Sequence, residues 1–391
     1  MKIKARPTAH LVLFLLCAGL AATRAFAAGQ PAALNSHEVN ADGSVTFRYY
    51  APSAQGVSVS MDYGTQPVAM KAGADGVWTL TTAPLQPAVH TYSLFVDGAP
   101  ILDPLNRSVD SNLIFLTNEV RVPGSTPQLW DVTDVPHGVV HHHVYRSAII
   151  RGLPDAMEDY YVYTPPEYDA ANGRRYPVLY LLHGWSSLAD SWLGGGQANL
   201  ILDNLIAQRR AVPMIVVMPL GYGDMTFVTN GFGQWRDEAR ISLNLGLFSD
   251  ALLSEIIPQV EAGYRVSASR EDRAIAGLSM GGGESLLIGL NHQDRFAWVG
   301  GFSSAVVYDR FDGLFPKLDS TRGGPLRLLW VACGTEDSLI TANRKFVAWL
   351  RTRALQPVAI ETPGIHNWPV WRDNLVHFAP LLFRASADAP H

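Results

Sequence analysis

Cysteine is nearly absent from this chain, with two in 391 residues, Cys17 and Cys333. A disulfide framework is therefore excluded as the basis of the fold. Charge is also sparse, at 17% Asp, Glu, Lys and Arg with a formal net charge of −5. With no basic stripe along the chain, no electrostatic footprint for nucleic acid is present. The two glycine runs, Gly194–Gly196 and Gly281–Gly283, are not followed by Gly-Lys-Ser/Thr, which excludes a phosphate-binding P-loop. His141, His142 and His143 stand in a row, but alternate residues of a strand face opposite sides, so at most two of them could share a metal. No second cluster at ligand spacing completes such a site, so neither a metal nor a cofactor is expected. There is no internal repeat. Beyond residue 30, no stretch reads as long and apolar enough to span a membrane.

What is present begins with the first 30 residues. Lys2, Lys4 and Arg6 precede the apolar run His10–Ala22, and small residues stand at Ala25 and Ala27. This reads as a secretory signal over residues 1–27, cleaved near Ala27 or Ala28, and predicts a secreted or periplasmic protein with no membrane attachment after cleavage. Cys17 follows Phe-Leu-Leu rather than the small residue that precedes a lipidated cysteine. Cys333, inside an apolar run, reads as an inert core thiol. The composition is 48% hydrophobic, enough to bury a sizeable core.

Two patterns divide the chain. Residues 31–122 carry short runs rich in β-branched and aromatic residues, such as "GSVTFRYYAP", "GVSVSM", "GVWTLTT" and "HTYSLFVDG", separated by turn chemistry. They predict a small all-β sandwich. "VPGSTPQLW", residues 122–130, reads as a linker. From 135 to 384, apolar strand-like runs alternate with helical spacing, which predicts an α/β domain with a mostly parallel sheet covered on both faces. Any site should then lie at the carboxyl ends of its strands.

"AIAGLSMGGGES" is the most informative stretch. Gly277-Leu278-Ser279-Met280-Gly281 fits G-x-S-x-G between a predicted strand and a predicted helix. A sharp turn there lifts the Ser279 hydroxyl off the sheet and aims a helix N-terminus at the same point. A serine nucleophile needs a base, and the base needs an orienting acid. In the order Ser, acid, His, the acid falls in "CGTEDSL", where Asp337 is favoured and Glu336 is the alternative. The base falls at His366, since His292 and His377 do not sit at strand ends. An oxyanion hole needs two N–H groups. Met280, next to the nucleophile, supplies one. Trp185, in the loop "LLHGWSS" after an earlier strand, supplies the other, with His183 bracing that loop. Trp185, Trp192, Trp235, Trp368 and Trp371 cluster around this predicted site, where they serve as core or as a platform for an aromatic acyl group or sugar ring.

These motifs, with "YVYTPPEYD", "YPVLYLLHGWSS", "PMIVVMPLGYG", "IIPQVEAGYRV", "RAIAGLSMGG" and "HNWPVWRDNLVHFAPLLF", resemble the esterase D-like group of α/β-hydrolases. Within that group they are similar to bacterial feruloyl and acetylxylan carbohydrate esterases. The front part, with "DGSVTFRYYAP", "DGVWTLTT", "YSLFVDG" and "DPLNRS", resembles early-set immunoglobulin-like domains related to glycogen-binding modules. The resemblance implies an α/β-hydrolase fold behind a β-sandwich, and a cofactor-free serine esterase acting on an ester-bearing carbohydrate. Ser279 would be the nucleophile, Asp337 the acid and His366 the base, with Met280 and Trp185 as oxyanion donors. Trp368, Trp371, Trp192 and Ile365 are candidates for substrate contact. Many relatives have Gly-Gly-His where this chain has Gly364-Ile365-His366, so Ile365 is expected to narrow the acyl pocket. Siderophore esterases and acyltransferases share the same machinery and remain alternatives, as does a non-catalytic carbohydrate-binding protein.

Overall fold

The computed structural model describes residues 34–62, 66–169, 173–305, 311–318 and 324–384. The signal-peptide reading of residues 1–27 lies outside them.

The first part of the chain forms two facing sheets. One contains His37–Val39 (β1), Val45–Tyr50 (β2), Lys71–Ala72 (β5) and Val77–Thr81 (β6), in the order β1-β2-β6-β5. The other contains Val57–Met61 (β3), Val68–Ala69 (β4), Ala88–Val96 (β7), Ala99–Ile101 (β8), Val109–Asp110 (β9) and Thr117–Val122 (β10). Its order is β4-β3-β7-β10-β9, with β8 also paired to β7. The pairings given for these strands are all antiparallel. Alternating residues fill the space between the sheets, led by Val45, Phe47, Val57, Val59, Tyr92, Leu94, Val120 and Val122. The four strands most evident in the sequence are β2, β3, β6 and β7. β1, β4, β5, β8 and β9, at two or three residues each, are too short to show a period-two run.

The second part is one eight-stranded sheet with helices on both faces. Its strands are Val139–Arg146 (β11), Met157–Thr164 (β12), Val178–Leu182 (β13), Ile215–Pro219 (β14), Arg273–Leu278 (β15), Trp298–Phe302 (β16), Leu328–Gly334 (β17) and Val358–Thr362 (β18). The order is β11-β12-β14-β13-β15-β16-β17-β18. β12 runs antiparallel to both its neighbours, and every pairing from β14 to β18 is parallel. The parallel strands β13, β14, β15 and β16 are buried at every position. That is why they read as continuous apolar runs rather than alternating ones. Each fully buried Val, Leu or Ile contributes about 1.5–3 kcal/mol, so these central strands dominate the stability of the sheet.

The helical stretch Glu238–Gly263 corrects one expectation. Its 26 residues are long and apolar enough to cross a membrane, although no such segment was expected from the sequence. Its apolar residues have another use. Phe248, Leu252, Ile256 and Val260 pack on Tyr180, Val217 and Ile275 of the sheet. A π-turn at Leu252–Ile256 interrupts it just before Pro258. Proline has no N–H and its ring crowds the preceding turn, and the wider turn relieves that crowding.

The chain runs from β13 outward to β14 on one side, then returns to place β15 on the other. The carboxyl ends of β13 and β15 therefore flank a topological switch point, where a crevice opens.

Candidate active site

Ser279 is the first residue after β15 and begins the helix Ser279–Asn291. Its φ is +52°, in the left-handed region that L-residues rarely adopt. This strained turn presents the hydroxyl above the sheet. The flanking glycines are dictated by space. A Cβ on Gly277 would lie 2.5 Å from the Gly281 carbonyl oxygen, and one on Gly281 would lie 2.4 Å from the His183 carbonyl oxygen. That same carbonyl accepts the Gly281 N–H at 3.0 Å, locking the start of the helix to the end of β13.

His366 lies four residues after β18, in the loop before the helix Trp368–Phe378. Its Nε2 is 3.0 Å from Ser279 Oγ, and its Nδ1 is 2.7 Å from Asp337 Oδ2. Asp337 lies three residues beyond β17, is 2% exposed, and also accepts the Leu339 N–H at 2.8 Å. Burial alone would raise its pKa. The hydrogen bond and charge attraction from His366, with the Leu339 N–H, outweigh that and hold the carboxyl below its ordinary value. Asp337 is therefore acceptor-only, so His366 Nδ1 carries the proton and Nε2 is left as the acceptor for the Ser279 hydroxyl. Glu336, the alternative acid, is exposed and meets the His366 loop only through its backbone, its N–H donating to the Gly364 carbonyl at 2.9 Å.

The two expected oxyanion donors lie on different elements, Met280 directly after Ser279 and Trp185 in the loop after β13. Met280 is the second residue of its helix, where the N–H has no carbonyl four residues back within the helix. Trp185 lies in the loop after β13, and its indole N–H donates to the Phe227 carbonyl at 3.1 Å, which fixes the side chain. His183 holds this strap. Burial lowers its pKa to about 4, partly offset by its bond to Gly184, so the ring is neutral. Its Nδ1 bonds the Gly184 carbonyl at 2.7 Å, and its Nε2 accepts the Gly221 N–H at 2.8 Å. It ties the loop after β13 to the loop after β14.

Beside Ser279 and His366 lies a pocket of about 150 Å³ with Trp185, Trp368, Trp371 and Phe115 in its walls. The Trp371 ring stands edge-on to His366 with centroids 4.9 Å apart, and Trp368 stands edge-on to Trp371 at 5.2 Å. Two expected contacts are corrected. Trp192 is fully buried, its indole N–H donates to the Leu182 carbonyl at 2.9 Å, and it packs against Trp368 from behind the pocket. It is a core residue supporting a pocket residue. Ile365 is not among the pocket-lining residues. Its backbone carbonyl accepts the Asn367 N–H at 3.0 Å, and Gly364 before it has φ +128°. The tight backbone of this loop, not the bulk of Ile365, places His366. Asn112 and Phe115, from the loop between β9 and β10, also line the pocket and were not anticipated. The available signal was the apolar run Leu113–Leu116 inside an otherwise turn-rich segment.

Among the described residues, no group of three or more His, Cys, Asp or Glu side chains is arranged to hold a metal. His141 and His143 share one face of β11 with Tyr264, while His142 stacks on Tyr161 and meets Asp159 on the other face.

Glu284, five residues beyond Ser279, is completely buried, and neither of its carboxyl oxygens has a hydrogen-bond partner. Burial pushes its pKa well above the ordinary value, so it is neutral in the folded protein. In the unfolded chain it ionises above pH ~4.3. Folding therefore retains a proton that the unfolded chain releases, and this contribution to stability declines as pH rises above that point. In thermal denaturation, the Tm of Glu284→Gln minus that of the wild type is expected to increase from pH 5 to pH 9. A pH-independent difference would show that Glu284 is ionised in the native state.

A family model described as "Putative esterase" matches residues 156–382. The chain belongs to this esterase family. A curated relative, the endo-1,4-beta-xylanase/feruloyl esterase of Xylanibacter ruminicola, is 30% identical over 353 residues, covering 88% of this chain and 46% of that protein. The chain thus spans just under half the length of that relative. A ferulic acid esterase structure from the anaerobic fungus Anaeromyces mucronatus is 25% identical with a TM-score of 0.56, covering 66% of this chain and 96% of that one. The enterobactin esterase of Shigella flexneri, at 20% identity, has a TM-score of 0.64 over 86% of this chain and 92% of that one. The esterase part therefore has the α/β-hydrolase fold.

Proposed function

We propose that this esterase-family protein is a serine carboxylic ester hydrolase that removes feruloyl or acetyl groups from plant polysaccharide fragments. The observation that carries the reading is the Ser279–His366–Asp337 relay, with bonds of 3.0 and 2.7 Å, beside an aromatic-walled pocket. At about 150 Å³ the pocket is smaller than sites that enclose a whole small ligand, typically ~300 Å³ or more. It suits the acyl portion and leaves the alcohol at the mouth.

In this reading Ser279 Oγ attacks the ester carbonyl carbon as its proton passes to His366 Nε2. The Met280 and Trp185 N–H groups hold the oxyanion. The carbon–oxygen bond to the sugar breaks, and His366 returns the proton to the leaving alkoxide. Water, deprotonated by His366, then attacks the acyl-enzyme and releases the acid and free Ser279. Asp337 keeps the imidazole in the required tautomer and stabilises its charged form. The reading also places the protein outside the cytoplasm, supported by the basic, apolar and small-residue regions of residues 1–27.

The test is a release assay on 4-nitrophenyl acetate, methyl ferulate and acetylated xylan. Release of ferulate supports an aromatic acyl pocket. Turnover of the acetyl substrates alone narrows the activity to deacetylation. No hydrolysis of any ester would overturn the reading. A siderophore ester is the second reading, favoured by the fold likeness to enterobactin esterase across both parts of the chain. Turnover of a dihydroxybenzoyl-serine ester, with none of the other substrates, would select it. Passage of the acyl group to an added sugar instead of water would select a transferase.

A further inference from the structure

The wall of the acyl pocket comes from both parts of the chain. The loop between β9 and β10, residues 111–116, crosses from the β-sandwich to the strap after β13. The Asn112 side-chain amide donates to Ser186 Oγ at 2.9 Å, and the Leu113 N–H donates to the Ser186 carbonyl at 2.7 Å. Asn112 and Ser187 form a short antiparallel bridge. Asn112 Oδ1 meanwhile accepts the N–H groups of Ile114 and Phe115 at 2.9 and 3.2 Å. One side chain thus grips the esterase strap with its nitrogen and shapes its own turn with its oxygen. That turn brings Phe115 to the pocket.

The sandwich is also anchored from below. Arg372 lies on the helix that follows His366 and is fully buried. It donates to the Val89 carbonyl of β7 at 2.7 Å and to the Gly195 carbonyl of the esterase part. The loop therefore approaches the pocket from a fixed base. Leu113, Ile114, Phe115 and Leu116 are each 36–47% exposed, an apolar run beside the pocket mouth. An apolar run at a pocket mouth offers contact area to an apolar part of a bound molecule.

We propose that Phe115, presented across the domain boundary by Asn112, is a specificity-determining residue that favours aromatic over acetyl acyl groups. The inference rests on the ester-hydrolase reading of the same pocket. An aromatic acyl group extends beyond the reacting carbonyl and gains from ring contacts and buried apolar area, whereas an acetyl group presents one methyl.

The experiment compares 4-nitrophenyl ferulate with 4-nitrophenyl acetate, which share a leaving group, for the full-length wild type, Phe115→Ala and Phe115→Tyr. Phe115→Ala is expected to lose roughly 10- to 100-fold in kcat/KM for the ferulate, mainly through KM, and much less for the acetate, so that the ferulate-to-acetate ratio falls about tenfold or more. Phe115→Tyr restores the ferulate value. An equal loss on both esters, or no loss on either, would overturn the proposal. The wild type alone tests the underlying reading. If it turns over the acetate but not the ferulate, the feruloyl reading fails, and Phe115 is judged on the acetate-to-octanoate ratio. A tenfold change of that ratio in Phe115→Ala supports its role in acyl selection, and an unchanged ratio refutes it.

Discussion

Replacing Ser279 by alanine is expected to lower kcat for every ester substrate by roughly 10⁶-fold, the scale seen when the nucleophile of a serine triad is removed. The physical basis is the 3.0 Å contact between Ser279 Oγ and His366 Nε2. Without the oxygen, no acyl-enzyme can form, and the remaining oxyanion donors act only on direct attack by water. The substitution should leave the fold intact. Position 279 already sits at φ +52°, and alanine experiences a left-handed strain comparable to that of serine. Stopped-flow release of 4-nitrophenol, with a melting curve beside it, separates chemistry from folding. A native melting curve with residual activity within tenfold of the wild type would remove Ser279 from the mechanism.

The second large effect discriminates between the two neighbouring acids. Asp337→Asn is expected to reduce kcat by about 10⁴-fold, because the amide can no longer enforce the tautomer that leaves His366 Nε2 as an acceptor. Glu336→Gln is expected to stay within about twofold, since its side chain is exposed and only its backbone meets the His366 loop. Steady-state kinetics on one ester settles the choice. Comparable losses in both variants would mean that the carboxylates act together, and a loss confined to Glu336→Gln would reverse the assignment.

Local chemistry made much of this legible. The central strands are buried on both faces, so their apolar runs are unbroken. The turn at Ser279 needs small flanking residues because backbone atoms crowd both sides, and that need is written as G-x-S-x-G. His366 stood out because it is the last histidine placed just beyond a strand. Side-chain direction was less legible. Trp192 and Trp368 lie in the same aromatic-rich surroundings, yet one packs behind the pocket and the other lines it. Ile365 looked like bulk in the pocket, but the chain turns so that its backbone, not its side chain, shapes the loop.

The sequence by itself marked the two-part organisation, the strand–helix alternation, and Ser279 and His366 as candidate nucleophile and base. Each depends on signals within a dozen residues, where periodicity, glycine and turn chemistry act directly. Only the tertiary structure decided which acid reaches His366, which tryptophans face the pocket, and that Asn112 and Phe115 of the β-sandwich complete it. Those outcomes depend on contacts between segments far apart in the chain, such as Asn112 with Ser186 and Arg372 with Val89. The packing of the sandwich against the loops and helix of the esterase part sets such contacts, and no local pattern encodes the direction from which a distant loop arrives.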